Sequence, residues 1–98
     1  MQDEHSQQIV VRFFEAIDRL KSERVIRGVQ TFTRRYGINR RNLYTLRLEP
    51  QRDIFQVSWL AHLVEDYGVS PRWLLTGEGD FYARKKTEKP ANNPQVGF

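Results

Sequence analysis

Eight arginines crowd one stretch of the chain: Arg24, Arg27, Arg34, Arg35, Arg40, Arg41, Arg47 and Arg52. A single acid, Glu49, accompanies them, so residues 24–52 carry +7 in a chain whose net charge is +4. Arginine presents a planar donor fork that grips phosphate and the O6/N7 edge of guanine with two hydrogen bonds. Asn42, Tyr44 and Thr45 lie among these arginines. Asn pairs with adenine, and Thr or Tyr touches thymine methyls and phosphates. The chemistry such a set supports is recognition of a nucleic acid. An acidic protein partner is the rival occupant of the same charge.

Other chemistry has little to build on. The 98 residues contain no Cys, which removes thiol nucleophiles, iron–sulfur clusters, Cys-based zinc sites and disulfides. His5 and His62 are the only histidines and have no second ligand set, so no metal is expected. Ser58, His62 and Asp66 fall at i, i+4 and i+8 and could be drawn as nucleophile, base and orienter. A helix face offers no oxyanion hole, so a solvated polar face is expected, with His62 opposite the Trp59–Leu63 stripe. Trp59 and Trp73 fall in apolar helical stripes and are read as core rather than as base-stacking platforms. No cofactor motif or small-molecule pocket is legible, and an enzyme is not expected. No apolar run approaches the ~18 residues of a membrane span. Met1–Gln8 is polar, without a signal segment, so a cytoplasmic location is the expectation.

These residues need a scaffold. The length suits one domain, placed at residues 1–83, followed by a basic tail over 84–98. The tail holds Lys85, Lys86, Lys89, Pro90 and Pro94 without apolar periodicity, and disorder is expected there. Its charge reads as solubilising, with a basic arm onto phosphate as the alternative. Ile9, Val10, Phe13, Phe14, Ile17 and Leu20 recur at helical spacing and predict a first helix, capped by Asp3 or Ser6 and ending near Ser22-Glu23. A second helix is predicted over Val29–Tyr36 and a third over Arg40–Leu48, closed by Pro50. Asp53 with Gln56 suggests a capping box for a fourth, whose inward stripe is Trp59, Leu60, Leu63, Val64 and Tyr67. Ser70-Pro71 starts a short fifth with Trp73, Leu74 and Leu75. No strand alternation is present, so the expected class is all-α with five helices.

The second and third helices carry the functional reading. A short turn, Gly37-Ile38-Asn39, joins them, which is the layout of a helix-turn-helix. Gly37 allows the positive φ that ends one helix, Ile38 anchors the turn and Asn39 caps the next. At about 100° per residue, Leu43 and Leu46 point inward. Arg41, Tyr44 and Thr45 then point outward, flanked by Arg40, Asn42 and Arg47. Reading residues of such a helix cluster near its N-terminus, where Arg40 and Arg41 sit.

The run Gln30-Thr31-Phe32-Thr33-Arg34-Arg35-Tyr36-Gly37-Ile38-Asn39, with Leu43 and Leu46, resembles the helix-turn-helix of the lambda-repressor-like (Cro and phage-repressor) family. The later segment Tyr67–Gly79, reading YGVSPRWLLTGEG, is similar to the end of that family's DNA-binding domain. The resemblance covers roughly residues 9–82. It implies a five-helix fold and a transcriptional regulator that binds duplex DNA sequence-specifically, usually as a homodimer on a palindrome. By position it implies base reading by Arg40, Arg41, Tyr44 and Thr45. It places Gln30, Arg34 and Arg47 at the DNA backbone, and Asn42 on the helix flank joins them. Thr33 stands where a small Ala is common, and Arg47 where many relatives carry Glu. Candidate dimer surfaces are Val11 on the first helix and the Phe81-Tyr82 segment, which also suits sealing the core. The alternative function is a helical protein–protein adaptor whose Arg-rich face docks an acidic partner.

Overall fold

A computed structural model describes residues 3–83; the expected tail, 84–98, lies outside the described residues. The described chain is all-α, with five helices and no strand: α1 (Glu4–Ser22), α2 (Val29–Tyr36), α3 (Arg40–Leu48), α4 (Ser58–Tyr67) and α5 (Pro71–Thr76). None of them is long and apolar enough to cross a membrane.

Local capping explains most boundaries. Asp3 accepts a hydrogen bond from the Ser6 amide at 2.8 Å, which starts α1 and holds the Asp3 carboxyl below its usual range. Asn39 accepts from the Asn42 amide at 3.0 Å and starts α3. Ser70 accepts from the Trp73 amide at 3.2 Å, with Pro71 at the first helical position of α5. Gly37 ends α2 in the left-handed region, at φ 66°. The end of α1 is less usual. Arg24 takes the left-handed position, φ 64°, where Gly is customary, and the Arg24 and Val25 amides return to the Lys21 and Leu20 carbonyls.

The expected capping box at Asp53 and Gln56 is not formed. The fourth helix begins later, at Ser58, and its N-cap Val57 has no side-chain cap. The intervening segment makes turns that lay Ile54 and Phe55 against the core. Phe55 meets Phe13 edge-on at 5.4 Å and Trp59 at 5.2 Å. A cap is worth about 1 kcal/mol, whereas burying one large apolar side chain is worth roughly 1.5–3 kcal/mol. Packing therefore decides this boundary.

Phe13 sits at the centre of the core, fully buried among the rings of Phe14, Phe32, Phe55 and Trp59, at centroid distances of 5.1 to 5.8 Å. Val10, Ile17, Leu20, Leu43, Leu46, Leu63 and Leu74 pack around it, with Ala16, Ile26, Val69 and Phe81 in the same cluster. Trp59 is buried and Trp73 half-buried, in keeping with a packing role. After α5 the chain folds back. The Ser70 amide donates to the Phe81 carbonyl at 2.7 Å and the Ala83 amide to the Gly68 carbonyl at 2.9 Å. Phe81 is buried by this return, which removes it as a dimer surface; Val11 stays exposed.

Arg12 ties the ends of the domain together. Its Nε donates to the Leu74 carbonyl at 2.8 Å and an Nη to the Leu75 carbonyl at 3.0 Å. These are terminal carbonyls of α5 that no later turn of helix can satisfy. Arg12→Ala is expected to cost about 2 kcal/mol, the scale for charged hydrogen bonds, read as a lower urea midpoint at unchanged m-value.

Candidate nucleic-acid interface

The α2–α3 pair is held from behind. Phe32 and Leu43 lie in the core, and the Ile38 amide donates to the Thr33 carbonyl at 2.9 Å. Thr33 is buried, and its hydroxyl donates to the Gln30 carbonyl at 3.2 Å. The hydroxyl thus has its partner within α2 and needs none on α3.

Tyr36 anchors α2 to α4. Its hydroxyl donates to the Asp66 carboxylate at 2.5 Å, and its ring stacks on the His62 imidazole at 3.8 Å and 5°. Arg35 adds an ion pair to Asp66 at 3.8 Å and lies over the Tyr36 and Tyr67 rings. His62 is therefore half-buried against α2 rather than on a solvated face, and Asp66 is engaged with Tyr36 and Arg35. Burial, then donation to Asp66, pushes the Tyr36 hydroxyl above its ordinary value of 10.0. A raised folded value means that the contribution is complete below pH 10 and is lost as pH rises through the folded value. Stability is expected to fall in alkali above that point. Tyr36→Phe is expected to be less stable at neutral pH and to lose less over the same alkaline interval, as read by urea melts.

The arginines divide into two groups. Outside residues 24–41, every arginine of the described residues has a partner. Arg12 caps α5, Arg19 pairs with Glu23, Arg47 with Asp18, Arg52 with Glu49 and Arg72 with Glu78. Within residues 24–41 only Arg35 is engaged. The side chains of Arg24, Arg27, Arg34, Arg40 and Arg41 are exposed and make no hydrogen bond, ion pair or ring contact within the described residues. Five exposed guanidiniums without an internal partner thus fall on the loop before α2, on α2 and at the start of α3.

The outer side of α3 faces open space. Arg40, Arg41, Tyr44 and Thr45 line a shallow groove together with Val29 from the start of α2. The structure brings these four expected base-reading side chains onto one surface. Gln30 is exposed beside them and folds back over Gly28; a Cβ on Gly28 would lie 2.8 Å from its Oε1. Asn42 is exposed on the flank, and its amide is used in the Asn39 cap.

Arg47 departs from expectation. It donates two hydrogen bonds to Asp18, one at 3.2 Å and one shorter, and its guanidinium lies 5.0 Å from the Phe14 ring centroid. It links α3 to α1 and is not a free phosphate donor. Leu48 was not among the expected site residues, yet it is 70% exposed. The same helical wheel that selects Arg41, Tyr44 and Thr45 also selects Leu48, one further turn along. Attention to polar types alone hides it.

Compared with known protein families, curated proteins and solved structures, the chain finds no match. Its own geometry therefore carries the functional argument.

Proposed function

We propose that this chain is a sequence-specific duplex-DNA-binding regulator of phage-repressor type. In this reading α2, the Gly37 turn and α3 act as a helix-turn-helix. Helix α3 enters the major groove, where Arg40, Arg41, Tyr44 and Thr45 read base edges. Gln30, Arg34 and Asn42 hold the backbone, and Arg24 and Arg27 add phosphate contacts. Arg47 is withdrawn from that set and given the role of bracing α3 against α1. The observation that carries the proposal is the partition of arginines. Those left without an internal partner among the described residues all lie in residues 24–41, and two of them, Arg40 and Arg41, line the groove on the outer side of α3. A single reading helix buries a modest interface, so a homodimer on a palindromic site completes the proposal.

Selection from random duplex DNA, followed by anisotropy titrations at several salt concentrations, tests this. An enriched palindrome bound far more tightly than random DNA is expected. With Arg24, Arg27 and Arg34 each neutralising one phosphate, the logarithmic salt slope is about −3 per protomer. Arg34→Ala is expected to weaken all duplexes alike and to shallow that slope by about one. No enrichment, with weak binding lost at moderate salt, overturns the proposal. A stoichiometric acidic protein partner that survives nuclease treatment supports the adaptor reading in its place.

A further inference from the structure

The outer face of α3 carries an exposed apolar strip beside its arginines. Tyr44 and Leu48 are 67% and 70% exposed, among the most exposed large apolar side chains of the molecule. They stand one helical turn apart. At about 100° per residue, Arg41, Tyr44, Thr45 and Leu48 fall within about 100° of arc, opposite Leu43 and Leu46. This i, i+3, i+4, i+7 set is what a helix lying in a major groove presents to base edges. Leu48 lies about 10 Å along the axis from Arg41, at 1.5 Å per residue.

Any partner of this face must offer negative charge and an apolar point on one surface. A second copy of the same face brings its own arginines and is repelled. The major groove meets both conditions: phosphates line it, and the C5 methyl of thymine is its one apolar feature. Resting on the DNA-binding proposal, we infer that Leu48 is a specificity-determining residue that reads a thymine methyl, with Tyr44 beside it. The selected half-site then carries a required thymine within about three base-pair steps of the base held by Arg41, taking roughly 3.4 Å per step.

The probe is the duplex selected from the random pool, with each thymine replaced in turn by deoxyuridine, which lacks only the methyl. Wild-type protein is expected to lose about fourfold in affinity at one thymine of each half-site, the factor for one buried methyl group. Leu48→Ala is expected to lose a similar factor on the parent duplex and to become indifferent to deoxyuridine at that position. Leu48→Met keeps the sensitivity, and an unchanged thermal melt for both variants shows that the fold is intact. The inference is overturned by a selected site without thymine in that window, or by a wild type insensitive to every replacement. A Leu48→Ala profile identical to wild type overturns it too, as does loss of self-association by that variant. If no duplex is enriched at all, the DNA-binding proposal fails and this inference with it. That outcome is distinct from an enriched duplex that tolerates deoxyuridine.

Discussion

Replacing Arg40 and Arg41 together with Ala removes most of the preference for a selected duplex while leaving the fold unchanged; that is the expected result. Each good two-bonded contact between an arginine and a base is worth about 1–3 kcal/mol of discrimination. Arg41→Ala alone is expected to cost that amount on the preferred site and to relax the base choice at one position. The double variant falls towards the affinity for random DNA. Stability is untouched because neither guanidinium has an internal partner and both are exposed. Arg47→Ala is the control with the opposite signature. It breaks the link to Asp18 and the contact with Phe14, so its loss appears as a lower melting temperature. Competition titrations of the selected duplex against random duplex separate the two. If the double variant keeps the wild-type ratio, α3 does not read bases.

Phe13→Ala carries the largest expected loss of stability. Phe13 has no solvent exposure and touches aromatic side chains from α1, α2, the segment before α4 and α4 itself. Truncating a buried Phe costs about 3–5 kcal/mol, from lost transfer energy and the cavity left behind. A domain of this size has about 5–15 kcal/mol in total. The variant is therefore expected to be partly unfolded near 37 °C, read as a large fall in urea midpoint. Phe13→Leu keeps most of the volume and is expected to recover much of the loss. Duplex binding of Phe13→Ala is expected to fall only in proportion to the unfolded fraction, since Phe13 is fully buried and contributes no atom to the proposed reading surface. A loss of binding by fully folded Phe13→Ala contradicts that separation.

Sequence spacing by itself determined the helices and most of their ends. The ends rest on neighbours a few residues apart: Asp3 with Ser6, Asn39 with Asn42, Ser70 with Trp73, and the left-handed Gly37. The stripe from Val10 to Leu20 and the pair Leu43–Leu46 are buried as their periodicity requires. The concentration of arginine is likewise a property of the linear chain. What tertiary structure decided are contacts between residues far apart in sequence. Arg47 finds Asp18 across α1, Tyr36 and Arg35 find Asp66, and Arg12 finds the end of α5. These pairings sort the arginines into braces and free donors, and composition cannot express that sorting. The start of α4 belongs to the same class. The local cap at Asp53 is weaker than the pull of the core on Ile54 and Phe55, so the helix waits until Ser58. Local signals are each worth about 1 kcal/mol. They decide an outcome where nothing larger opposes them, and yield where burial of a ring does.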